Sequence, residues 1–352
     1  MWHYYRKNMG KVVYLLGAGA SYGKRNQEEP KNSPKRIVEG LPVVNEIDDE
    51  LGIVIDWVNN CDLTGADKKY EYRGQSVDAV SMKSMFIDDL TWLRDNALLH
   101  ATIDTFAKKL YLCNRAIDYG KLKLLLSSFF LIEQVIHPFD KRYDTFFANI
   151  LNRNAKIPDN IYIMTWNYDL QLDMAYREYG NGRLYECVPH DTWTETDDAR
   201  VFRINGVGNY IAAKNIESEW LLNMKKVEVL DKVFEQYCVA NKLREFSDGC
   251  LQLLFAWEKY EFDKRRQILY DKIADAQVLV VIGYSFPFFN RETDREIFSK
   301  MEKLKRIYIQ DPYADDIKQF ISSVLTEEQR TQLYPDIVTI KNIANFYLPP
   351  EL

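Results

Sequence analysis

The chain reads as an α/β protein built on a parallel sheet. Three features carry this reading. Several short, unbroken apolar runs have the pattern of strands buried on both faces. The long stretches between them place apolar residues at i, i+3, i+4 spacing. The first apolar run also opens directly into a glycine turn: "KVVYLLGAGASYG", Lys11 to Gly23.

The runs, in order, are VVYLL at Val12–Leu16, IYIMT at Ile161–Thr165, VLVVIG at Val278–Gly283, RIYIQ at Arg306–Gln310 and the weaker IVTI at Ile337–Ile340. RVFRI at Arg200–Ile204 alternates apolar and polar residues, which predicts a partly exposed strand. Between the first two runs, "SMKSMFIDDLTWLRDNALL", "TIDTFAKKLYLC" and "KLKLLLSSFFLIEQVI" have the helical period, and a second helical stretch contains "WLLNMKKVEVLDKVFEQYCVANKL" and "CLQLLFAWEKYEFDKRRQILYDKI". The segment "GKRNQEEPKNSPKRIVEG" is polar, holds two prolines and predicts a mobile loop. The expectation is one Rossmann-like domain over residues 1–352, with helical insertions at about 45–155 and 217–271.

With 352 residues, 47% of them hydrophobic, the chain can bury a large core. A net charge of -6 argues against a surface built to hold nucleic-acid phosphates. The five cysteines, Cys61, Cys113, Cys187, Cys238 and Cys250, form no CxxC pair, so reduced thiols are expected and no metal site is. No stretch reaches the ~18 apolar residues of a membrane span and no cleavable signal opens the chain, so a cytoplasmic protein without a membrane partner is expected.

Four strand ends carry candidate chemistry. A buried strand, a Gly-x-Gly turn and a helix start, as at Gly17, Ala18, Gly19, Ala20 and Ser21, bring backbone amides and a helix N-terminus toward a phosphate, although the same turn also serves as a tight strand-to-helix connection. IYIMTWNYD delivers Asn167 and Asp169 at the carboxyl end of a strand, where open parallel sheets bind ligands; both residue types also cap helices. A second glycine exit brings Gly283, Tyr284 and Ser285, and Asp311 follows the next strand directly, as an acid that hydrogen-bonds a ribose would.

In this order the motifs resemble the sirtuin-like family, in particular its bacterial NAD-hydrolysing branch in anti-phage defence. GAGAS at Gly17–Ser21 looks like the family's first dinucleotide loop. TWNYD looks like its T-x-N-[IY]-D segment, with Asn167 as the family's Asn, while GYSF at Gly283–Phe286 and QDP at Gln310–Pro312 look like the strand ends that hold the adenosine half. The resemblance spans Lys11 to about Pro312. It implies NAD as substrate, cleaved to nicotinamide and ADP-ribose in an abortive-infection response. It also implies a homo-oligomer and a partner such as a HerA-type ATPase, a short Argonaute or another defence sensor.

Two departures constrain this. The four-cysteine zinc module and GIPDFR-like stretch of the family's protein deacylases are missing, which disfavours deacylation. "FRINGVGNY" aligns with the family's LHGS segment, so Asn205 stands at the catalytic His position, and an Asn cannot act as a base. Asn167 and Asn205 are therefore the expected catalytic pair, orienting water and ribose hydroxyls, with His190 or His100 as the nearby titrating group. Asp104, beside Thr105, is either a helix N-cap or a site residue, and capping is the expected role. A non-catalytic sensor of NAD or ADP-ribose is the alternative.

Overall fold

A computed structural model describes residues 10–63, 67–180, 186–187, 199–210, 226–244, 251–258 and 263–352. The protein has a Rossmann-like α/β fold. Seven strands form its central sheet: β1 (Val12–Leu16), β2 (Ile161–Thr165), β3 (Glu186–Cys187), β4 (Val201–Arg203), β5 (Val278–Ile282), β6 (Arg306–Gln310) and β7 (Val338–Ile340). Their order is β7-β6-β5-β1-β2-β4-β3 and every pairing is parallel. From β1 the chain first builds the sheet toward β2 and later returns to the other side with β5. The carboxyl edge between β1 and β5 is therefore the topological switch point, where such sheets open a ligand crevice.

The register sets the level of that crevice. Leu16 pairs with Thr165 on one side and with Ile282 on the other, so three chains leave the sheet at the same height. All residues of β1, β2 and β5 are buried, as their unbroken apolar runs require in a sheet covered on both faces.

Helices cover the two faces. Val12, Tyr14 and Leu16 pack on Tyr143, Phe146 and Phe147 of α5 (Lys141–Ile150) and on Ala175 of α6 (Gln171–Arg177). Val13 and Leu15 face the opposite layer, which includes Ile273 of α8 (Asp263–Ile273), Phe298 of α9 (Arg291–Lys300) and Ile317 of α10 (Ala314–Ile321).

A third core belongs to a helical lobe over the carboxyl edge. It is made by α1 (Ile47–Asn60), α2 (Ala79–Leu98), α3 (Ile103–Leu112), α4 (Ala116–Ile136) and α7 (Lys226–Arg244). Ile47, Leu51, Val54 and Val58 form the buried stripe of α1 at helical spacing. α4 is buried almost all round from Leu122 to Gln134, and is the lobe's central helix.

Two expectations are corrected. Val201, Phe202 and Arg203 are all buried, because β4 lies between β2 and β3. Arg203 tolerates this position by donating to the Asp169 carbonyl (2.8 Å) and pairing with Asp173, which satisfies the guanidinium inside the protein. The polar segment after the glycine turn is also more than an irregular loop: Lys24–Arg25 pairs antiparallel with Ile37–Glu39. Arg25 is buried there, donating to the Leu41 carbonyl (2.7 Å) and pairing with Glu46 (2.8 Å).

Candidate functional site

The small residues of GAGAS are explained first by another part of the chain. Gly17 N–H donates to the Ile282 carbonyl (3.0 Å) and Gly19 N–H to the Gly283 carbonyl (2.9 Å). A Cβ on Gly17 would lie 2.6 Å from the Gly283 oxygen, and one on Gly19 would lie 2.7 Å from the Gly283 Cα. Gly283 itself has φ +60°, and its missing Cβ would fall 2.3 Å from the Gly19 carbonyl carbon. The two glycine exits are packed backbone on backbone, so the amides of Gly19 and of Ala20, which donates to Gly17, are already engaged. Arg142 holds the other side of the turn, donating to the carbonyls of Gly19 (3.0 Å) and Ala20 (3.2 Å).

Asn167 is fastened to this turn. Its Nδ2 donates to the Gly17 carbonyl (2.9 Å) and to Ser21 Oγ (3.1 Å), and its N–H to Thr165 Oγ1 (3.0 Å). A carbonyl can only accept, so the amide orientation is unambiguous. Ser21 Oγ also shares a hydrogen bond with the buried Tyr143 hydroxyl (3.0 Å). Asp169 accepts the Gln171 N–H (3.0 Å) two residues on, but it stands one residue before the N-cap position of α6, which Leu170 occupies, so the expected cap is replaced by a local turn. Burial raises the Asp169 carboxyl above the usual range, opposed by hydrogen bonds from Ser21 and Gln171.

Asn205 stands on the facing side, donating from Nδ2 to the Tyr168 hydroxyl (3.3 Å). Its backbone carbonyl accepts the Leu254 N–H (2.8 Å), and the Tyr168 hydroxyl in turn donates to the Leu254 carbonyl (3.1 Å). Asp104 joins this side. The cap of α3 is Thr102, whose hydroxyl accepts the Thr105 N–H (3.1 Å), and this leaves Asp104 free to line the cavity. The carboxyl is enclosed by protein although it opens to the cavity, and that burial pushes it up to about 6.

Behind the second glycine exit, Trp166 stacks on Tyr284 with ring centroids 5.8 Å apart. The Tyr284 hydroxyl donates to Asp294 (2.7 Å) and accepts from Asn290 (3.1 Å). Asp294 is buried with no salt-bridge partner among the described residues, and burial pushes it up to about 8.

These groups enclose a cavity of about 440 Å³ between the switch point and the helical lobe, within the usual size range of small-molecule sites. Its walls include Ala18, Ser21, Asn167, Asp169, Asn205, Gly283, Tyr284 and Ser285 from the sequence expectation. Gly17, Gly19 and Ala20 lie in the turn behind that wall. The lobe contributes Ile47, Ile103, Leu126 and Phe130, and an aromatic side is built by Phe255, Trp257 and Phe289, with Phe255 stacked on Trp257 at 4.8 Å. Among the described residues the charged side chains on the lining are the two acids Asp104 and Asp169.

Other expected residues lie elsewhere. Asp311 is not on the lining; its carboxylate accepts the Tyr313 N–H (2.8 Å) in the loop after β6. His100 bonds the Asn96 carbonyl (2.7 Å) and packs on Phe106, away from the cavity. His190 lies outside the described residues. Asp104, a cap or a site residue by sequence and expected to cap, is a lining residue instead, and the aromatic wall was missed because no local pattern sets it apart from core residues. Among the described residues no single helix is long and apolar enough to cross a membrane.

Fold and site together define a Rossmann-like α/β protein with a partly open cavity at its switch point, lined by aromatic side chains and two acids. No protein-family model matches the chain, and no curated protein matches it.

Proposed function

We propose that this cavity binds NAD and cleaves its nicotinamide–ribose bond to give nicotinamide and ADP-ribose. The observation that carries this reading is the meeting of Asn167 and Asn205 in one cavity at the switch point, from segments far apart in the chain. Cleavage of this bond passes through an oxocarbenium-like state and releases a neutral nicotinamide from a cationic one, so orientation and electrostatics contribute most of the acceleration. Asn167 is held by two hydrogen bonds through Nδ2, which leaves its Oδ1 to accept from water or a ribose hydroxyl. Asn205, held through the Tyr168 hydroxyl, is the second orienting group, and the acids Asp104 and Asp169 suit positive charge on the ribosyl carbon. The aromatic side suits the flat faces of the two bases.

With NAD hydrolysis as a destructive activity, the chain serves as the effector of a bacterial anti-phage system. Its control then comes from oligomerisation or a partner chain. The engaged amides of Gly19 and Ala20, and a lining without Lys or Arg among the described residues, favour one alternative, a sensor that binds the ligand without cleaving it. Incubating the purified protein with NAD and following nicotinamide release, alone and with the product of a neighbouring gene, tests the proposal. Release is expected in the activated assembly. Calorimetric binding of NAD or ADP-ribose without release under any partner condition would replace the hydrolase with the sensor.

A further inference from the structure

Away from the cavity, three buried side chains meet where α1 passes the end of α4. Glu50, Glu133 and His137 are 1%, 0% and 4% exposed. His137 Nε2 lies 3.7 Å from Glu50 Oε2 and 3.6 Å from Glu133 Oε2, too far for a hydrogen bond in either case. Glu50 Oε2, both carboxylate oxygens of Glu133 and His137 Nε2 have no hydrogen-bond partner among the described residues. Four orphaned polar atoms converging in a sealed interior cost several kcal/mol unless something joins them.

From this geometry we infer that Glu50, Glu133 and His137 hold one divalent transition-metal cation of the zinc class. Ligand atoms each about 2.1 Å from a tetrahedral metal stand about 3.4 Å apart, so the two separations from His137 are only a few tenths of an ångström wider than a bound ion requires. The three ligand atoms all lie within 4.8 Å of one another. Glu50, Glu133 and His137 each supply one donor, and a water in the fourth position of the tetrahedral shell can donate to the second Glu133 oxygen. The imidazole selects transition metals over magnesium or calcium, which prefer all-oxygen sites. A cation also neutralises two carboxylates whose nearest guanidinium, that of Arg25, is already paired with Glu46.

The site is structural. It pins α1 to α4 one helical turn beyond Ile47 and Phe130, two side chains of the cavity wall. Sequence reading led to no metal because Glu50 is remote in sequence from the Glu133–His137 pair and no cysteine takes part.

The test is to strip the full chain with a chelator, reload it with Zn2+ and measure metal content, X-ray absorption and thermal midpoint. The expected result is about one equivalent per chain, a shell of nitrogen and oxygen at about 2.0–2.1 Å with one imidazole and no sulfur near 2.3 Å. A midpoint raised by ~5 °C or more is expected with it. Glu133→Gln and His137→Gln should each weaken uptake at least ~10-fold. No uptake, a sulfur-containing or all-oxygen shell, or undiminished binding in both variants would overturn the assignment. If a variant fails to fold, the metal shell of the unaltered protein decides.

Discussion

Asn167 Nδ2 sits 2.9 Å from the Gly17 carbonyl, so the side chain at the end of β2 locks the turn at the end of β1. Asn167 also lines the cavity. Asn167→Ala should cut NAD cleavage ~10²-fold or more while changing affinity far less, because one positioned polar group is lost from the reacting centre. It should also lower stability by ~1–3 kcal/mol, since the Gly17 carbonyl and Ser21 lose their donor. Nicotinamide release and calorimetric binding, run on the same folded sample, separate the two effects; an unchanged rate would remove Asn167 from the mechanism. Asn205→His should keep or raise activity.

The glycine contacts lead to a stability series. Gly283→Ala should cost ~2–5 kcal/mol, combining a left-handed backbone with a backbone clash, and Gly19→Ala ~1–3 kcal/mol. Gly52→Ala in the middle of α1, where a Cβ meets nothing within 4 Å, should instead add ~0.5–1 kcal/mol. Urea denaturation of the three variants checks this order, and a neutral Gly283→Ala would show that the two exits are not packed as described.

Asp104 sets a pH dependence. Its folded value of about 6 lies above the ordinary aspartate value of 3.8, so the native state holds the proton more tightly. Stability from this group is fully present below the unfolded value, falls as pH rises between the two values and levels off above about 6. NAD cleavage should run the other way, rising through pH ~6 as the carboxylate forms beside the developing positive charge. Asp104→Asn should remove both trends; a rate profile that keeps its rise in this variant assigns the titration to another group.

Asp294 extends the same linkage upward. With a folded value of about 8 it is protonated at neutral pH, and its stabilising contribution declines from the unfolded value up to that point before levelling. Denaturation at a series of pH values from 5 to ~9 should show a shallower decline in Asp294→Asn, because the amide cannot ionise. Equal slopes in the two proteins would mean that Asp294 is already ionised at neutral pH.

Much of the fold was legible in one dimension. Strands buried on both faces must be continuously apolar, and Val12–Leu16, Ile161–Thr165 and Val278–Ile282 announce themselves for that reason. The polar residues that follow such strands are forced to the carboxyl edge, so Asn167, Ser285 and the glycine turns could be picked out as site candidates. Tertiary structure decided what each one does. Whether a glycine serves a ligand or a neighbouring backbone depends on what lies across from it, and Gly283 is more than 260 residues from Gly17 in the chain. Arg203 reads as an exposed residue until Asp173 and the Asp169 carbonyl come within reach. Asp104 reads as a cap until Thr102 takes that role. Glu50, Glu133 and His137 carry no signal at all, because the burial that makes them chemically unusual exists only once α1 and α4 have packed. Local sequence dictates secondary structure through side-chain period and backbone preference, while solvation, proximity and charge pairing are properties of the folded chain.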